Sequence, residues 1–190
     1  NYAAVHAYGP VEFFEDAKAK PGELSIAVGG AGNVKDMQLQ QLEKAGDVDF
    51  NIVPFSGGGA EAVVSVMGGI TDAVAVNASS VRGQIESGDL RPLAVIAESS
   101  EKEIDGFEVV NPQSYPGMKF LPDSSGIVGP KGMPAEIVDV LEKAHFQILE
   151  DEDFKNMLIS DSYIIEPTGA EAYHQQLLKD YANFGEIYGK

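Results

Sequence analysis

The chain has 190 residues, 44% of them hydrophobic, with 30 acidic residues against 13 basic ones and a formal charge of −17. This composition supports a buried core and excludes a wholly disordered chain. It also lacks the basic stripe a nucleic-acid or anionic-membrane surface requires, Arg82 and Arg91 being the two arginines. Zero cysteines exclude disulfides and thiolate metal sites, and no apolar run approaches the roughly 20 residues that cross a bilayer.

In chain order, short apolar runs alternate with helical stretches, which argues for an α/β fold. The start, Asn1-Tyr2-Ala3-Ala4-Val5-His6, has neither an initiating Met nor the regions of a signal peptide; a processed chain or a fragment is expected. Phe13, Phe14 and Ala17 stripe a first helix, ended by Lys20-Pro21-Gly22. Leu24 to Val28 reads as a strand. Asn33 caps the next helix, with Asp36 as an acidic capping-box partner. Phe50 to Pro54 is a second strand, and Ala60, Val63, Val64 and Met67 give a clean helical face stopped by Gly68-Gly69. Asp72 to Val76 and Arg91 to Ala97 read as further buried strands. Between them Asn77 or Ser79 caps a helix carrying Val81 and Ile85.

Beyond residue 97 the character changes. Glu98 to Asp105 is charged, and Asn111 to Gly117 is rich in turns. Gly126 to Gly129 reads as a short strand or crossover. Pro134 starts a helix with Ile137, Val138, Leu141, His145 and Ile148 on one face. Phe154, Met157 and Leu158 mark a short acidic helix. Thr168-Gly169-Ala170-Glu171 reads as a capping box for a last helix, whose face of Tyr173, Leu177, Tyr181, Phe184 and Tyr188 reads as core.

Two glycine loops stand at strand ends ahead of helices: Gly29-Gly30-Ala31-Gly32-Asn33 and Phe55-Ser56-Gly57-Gly58-Gly59. Such loops can aim free backbone N–H groups at one spot, which suits a small anion. Lys35 stands where a dinucleotide fingerprint needs its third glycine, and the second loop lacks the Lys-Ser/Thr tail of a P-loop. His6, His145 and His174 have no metal-ligand spacing, and Ser79-Ser80 and Ser124-Ser125 lack a nucleophile-elbow frame. No catalytic residue, metal site or cofactor is expected. The residues point to holding an anion rather than transforming it. Tight turns alone are the plainer reading of each loop; two loops on successive β–α units favour a ligand cradle.

Several segments, in order along nearly the whole chain, resemble one family. They are Phe13 to Leu24, Gly30-Ala31-Gly32-Asn33, Val53-Pro54-Phe55-Ser56-Gly57-Gly58, Met67 to Asp72, Ile85 to Val95, and Gly126 to Pro134. The family is that of the Bug-type, TctC-like extracytoplasmic solute receptors of tripartite tricarboxylate transporters. The resemblance implies a type II periplasmic-binding-protein-like clamshell of two lobes closing over a small carboxylate. It further implies that the family's N-terminal third is absent here. Residues 8–118 would be the complete second lobe, which binds ligand, and 119–190 the C-terminal elements of the first. Asn33 replaces a hydroxyl residue common in the family, and Asp36 stands where a His is common.

On this reading Gly30, Ala31, Gly32, Asn33 and Val34 grip one carboxylate end. Phe55, Ser56, Gly57 and Gly58 close on the ligand's body, and Asn77 adds a polar contact. The partners implied are a small carboxylate and membrane transporter subunits, with no nucleic acid. The location implied is periplasmic or otherwise extracytoplasmic. The truncated chain is expected to expose apolar surface, and so to self-associate or pack against a separate N-terminal piece. Rival readings are a sensing or adaptor lobe for a signalling partner, an α/β enzyme acting on an anionic metabolite, and a purely structural domain.

Overall fold

The computed structural model describes residues 10–96, 103–104, 107–110, 117–119, 123–160 and 165–188. His6, Asn111 to Pro116 and most of the Glu98–Asp105 run lie outside them, as do the side chains of Phe13, Phe14 and Tyr188. The chain divides into two compact units, Asn1–Pro122 and Asp123–Lys190.

The first unit opens with helix α1 (Pro10–Ala19). Two β–α steps and a third strand follow: β1 (Ser25–Val28), α2 (Val34–Gly46), β2 (Asn51–Pro54), α3 (Gly59–Met67) and β3 (Ala73–Ala75). The three strands form one parallel sheet in the order β2-β1-β3. The chain then makes a 3₁₀ turn (Ala78–Ser80), a short helix α4 (Arg82–Glu86) and β4 (Ala94–Ile96). β4 pairs in parallel with β6 (Phe107–Val110), which pairs antiparallel with β5 (Glu103–Ile104). A mixed α/β architecture with a parallel sheet is therefore observed.

Strand alternation sends successive side chains to opposite faces. Ile26 and Val28 lie in register with Ile52, Ala73 and Ala75, and that face packs with Ala17, Leu39, Leu42, Val48, Phe50 and Met118. On the other side Val74 and Val76 pack with Val63, Val66, Val81 and Leu90. Helices thus cover both faces of the sheet, as short parallel strands require. Val28 is fully buried at the centre; β1, flanked by two strands, has no free edge.

Polar pairs pin this core at two places. At the start of β1 and β3, the Ser25 amide and hydroxyl both donate to Asp72 Oδ2, at 2.9 and 2.6 Å, while the Asp72 amide donates to Ser25 Oγ at 3.0 Å. On α2, Gln41 Nε2 donates to the Lys119 carbonyl at 3.2 Å, and the Lys119 amide donates to Gln41 Oε1 at 2.7 Å. That reciprocal pair fastens residues 118–119 beside buried Met118.

The second unit holds α5 (Ala135–Glu150), α6 (Glu152–Ser160) and α7 (Ala170–Tyr188). Gly126 to Gly129 has no regular structure, and Pro134 is the N-cap of α5 rather than its first helical residue, a one-residue difference of the kind expected at helix ends. The capping box at Thr168 does not form. Thr168 Oγ1 donates to the Glu166 carbonyl, and Glu142 from α5 accepts from the Ala170 amide at 2.7 Å instead. The aromatic stripe on α7 is not core throughout, for Tyr181 is 80% exposed. Val140 and Ile159 are also largely exposed. Among the described residues of this unit, Asp180 alone is buried, and its Oδ1 accepts from Gln176 Nε2 at 2.8 Å. An exposed apolar surface, expected for this segment, is observed.

Candidate functional site

Register places the site. Val28 pairs with Pro54 on one side and Ala75 on the other, so the loops after β1, β2 and β3 leave the sheet at one level. Gly30, Ala31, Gly32, Asn33 and Val34 follow β1; Phe55, Ser56, Gly57 and Gly58 follow β2; Asn77 follows β3. All ten sequence-derived candidates therefore lie beyond the C-terminal ends of three parallel strands. That is where open α/β sheets place ligands, at the point where successive connections diverge.

The two glycine loops meet backbone to backbone. A Cβ on Gly29 would stand 2.7 Å from the Gly59 nitrogen and 3.0 Å from the Gly58 carbonyl carbon. Phe55 is tied across by its amide, which donates to the Val28 carbonyl at 2.9 Å. Gly30, Gly32 and Gly58 have positive φ values of 142°, 75° and 81°, a region costly for residues with a side chain. A Cβ on Gly30 or Gly58 would find no atom within 4 Å, so there the demand comes from backbone shape and open space surrounds the turn.

Each loop delivers a helix start. Asn33 caps α2 from extended backbone, its Oδ1 accepting from the Asp36 amide at 2.9 Å. The return half of the capping box is displaced by one residue, since Asp36 Oδ2 accepts from the Gly32 amide at 2.6 Å. Gln40 Nε2 holds the other Asp36 oxygen at 2.8 Å. The amides of Asn33 and Val34 have no acceptor among the described residues. At α3, Gly58 takes the cap position without any side-chain bond. Glu61 Oε2 accepts from the Gly57 amide at 2.7 Å, while the amides of Gly59 and Ala60 precede the first helical acceptor. Asn77 makes no capping bond to the 3₁₀ turn it precedes and is exposed.

These features carry the chemistry of hydrogen-bond donation. Among the described residues no group of three or more His, Cys, Asp or Glu could hold a metal. Sequence reasoning missed the Asp36–Gly32 and Glu61–Gly57 bonds. Both have a readable signal: an acid four residues after a glycine that precedes a helix.

The fold and these loops define a lobe of the solute-binding type, with a parallel sheet presenting backbone donors at one end. The chain belongs to the tripartite tricarboxylate transporter family of receptors, TctC, whose family model matches residues 4–184. That is a family of transporter receptors, not of enzymes. The chain is 27% identical over 126 residues to protein BugT of Bordetella pertussis, a match spanning 66% of this chain and 38% of that protein. Among solved structures it is similar to a TctC solute-binding protein from Polaromonas, without ligand, at TM-score 0.69 and 26% identity over 98% of this chain and 63% of that one. It shares the fold of MatC from Rhodopseudomonas palustris with bound malate, at TM-score 0.72 and 18% identity, covering 98% and 63% of the two chains. The chain thus spans less than two thirds of the length of these relatives.

Proposed function

We propose that this chain carries the ligand-binding lobe of an extracytoplasmic receptor that captures a small carboxylate and presents it to a membrane transporter. The observation carrying this reading is the convergence of three strand ends on two glycine loops in backbone contact at Gly29 and Gly59. Family membership and the malate bound to MatC support a carboxylate as ligand. The Asn33 and Val34 amides take one carboxylate end. Phe55 to Gly58 meets the body of the ligand, and Asn77 supplies a polar contact. Residues 8–118 form this lobe, and 119–190 belong to the opposing one. Ligand binding favours a closed state of the receptor, which the transporter recognises by population shift. Binding needs no covalent step and no cofactor. A periplasmic location follows from the same reading, and no described helix is long and apolar enough to cross a membrane.

The exposed apolar side chains of α5, α6 and α7 support self-association when the remainder of the relatives' length is missing.

A thermal-shift panel of mono-, di- and tricarboxylates tests the receptor reading, on this chain and on a form extended to the relatives' full length. A ligand at about 100 times its Kd adds about 2.7 kcal/mol, a shift of several degrees. A selective shift in either form is the expected result. No shift in either, across the panel, would overturn it.

A further inference from the structure

The negative charge of the chain and the two acids that sit inside its own anion cradle point the same way. In each glycine loop one amide already holds a carboxylate: Gly32 donates to Asp36 at 2.6 Å and Gly57 donates to Glu61 at 2.7 Å. The spacing is four residues in both loops. Neither donor remains for a ligand anion. Both acids also stand in the first turn of their helices, where a full negative charge outweighs the roughly half positive charge of the helix end.

We propose that Asp36 and Glu61 set the charge class of the ligand. They disfavour a molecule with a carboxylate at both ends and favour a carboxylate that also carries a cationic or N–H donor group, such as an amino or amide nitrogen. This rests on the receptor reading given above and refines its ligand. A ligand carboxylate at the Asn33 and Val34 amides lies within one helical turn of the Asp36 carboxylate. Asp36 is buried, 7% exposed, so solvent screens its charge poorly. A second ligand carboxylate near Phe55 to Gly58 meets Glu61, which is exposed and therefore repels more weakly. A donor nitrogen finds the reverse. A carboxylate offers about four acceptor positions; among the described residues Asp36 uses two, on Gly32 and Gln40, and Glu61 uses one, on Gly57. The vacant lone pairs accept from a ligand N–H.

The competing explanation is that these acids merely stabilise helix ends. It predicts that neutralising them lowers stability and leaves ligand preference alone. Calorimetric titration of malate, adipate, glutamine and asparagine into wild type, Asp36→Asn and Glu61→Gln separates the two. Each protein is used as this chain and as the form extended to the relatives' length. Both substitutions keep an oxygen able to accept from the loop amide, and Glu61→Gln alters an exposed residue, so folding is preserved in at least one variant. The expected result is that wild type prefers glutamine or asparagine over both diacids. Asp36→Asn then tightens diacid binding by about tenfold or more and Glu61→Gln by a smaller factor. Equal or stronger diacid binding by wild type, unmoved in either variant, overturns the proposal while leaving the receptor reading intact. No binding of any of the four by any form overturns the receptor reading itself.

Discussion

Gly29 and Gly59 approach so closely that a Cβ on the first would stand 2.7 Å from the backbone nitrogen of the second. Thirty positions apart in the chain, they fix the two glycine loops against one another. Gly29→Ala therefore has to push backbone, which cannot swing aside as a side chain can. We expect a loss of about 1–3 kcal/mol in urea unfolding, with carboxylate binding lost out of proportion. Gly30→Ala is the control. It has open space around it and only a φ of 142° against it, so it costs about 1–3 kcal/mol through backbone strain without wedging the loops apart.

The opposite end of the sheet is locked by a side chain. Asp72 Oδ2 takes both the amide and the hydroxyl of Ser25. Asp72→Ala leaves those donors unsatisfied in a half-buried place and should cost about 2–4 kcal/mol. A double-mutant cycle with Ser25→Ala should show coupling of about 1–3 kcal/mol. Additive effects would mean that the pair does not act as a lock.

Gln41 reaches 78 residues along the chain to Lys119. Gln41→Ala should destabilise by about 1–2 kcal/mol and speed hydrogen exchange at the Lys119 amide. Unchanged exchange there would show that the segment is held by Met118 packing alone.

Glu43 gives a pH signature. Burial raises its carboxyl above the ordinary value of 4.5, opposed by the Phe50 amide bonded to Oε1 at 2.8 Å and reinforced by the charges of Asp49 and Asp36. Just above pH 4.5 the native state then binds more proton than the unfolded chain, so the Glu43 contribution falls as pH rises through that window. Glu43→Gln, which keeps an acceptor for Phe50, should flatten this part of the stability–pH curve. An unaltered slope would assign it to other carboxylates.

Val140, Ile159 and Tyr181 are each more than half exposed on the second unit. Sedimentation of this chain should show concentration-dependent association, and replacing these three by polar residues should reduce it. A monodisperse monomer at high concentration would contradict self-association.

Local features were legible in the sequence because their causes are local. Asn33 caps α2, Gly68 ends α3, and the strands at Ser25, Asn51 and Ala73 fall inside the apolar runs that suggested them. The ten candidate positions could be named from glycine loops at strand ends, and register explains why they share one end of the sheet. Long-range partners were not legible. Nothing near Thr168 announces that Glu142 will take the Ala170 amide, nothing near Ser25 points to Asp72, and Gln41 looks like any helix glutamine. The exposure of Tyr181 was hidden too, since a helical stripe shows which residues share a face and not what covers it.

The most direct test of the central claim is an amide-resolved NMR titration with the carboxylate that gives the largest thermal shift. The account predicts perturbations concentrated at Gly30 to Val34 and Phe55 to Ala60, with Asn33 and Val34 largest and the Ser25 and Asp72 amides at the far end of the sheet nearly still. Perturbations centred on the Ser25 end, or spread evenly with no focus on the glycine loops, would contradict it.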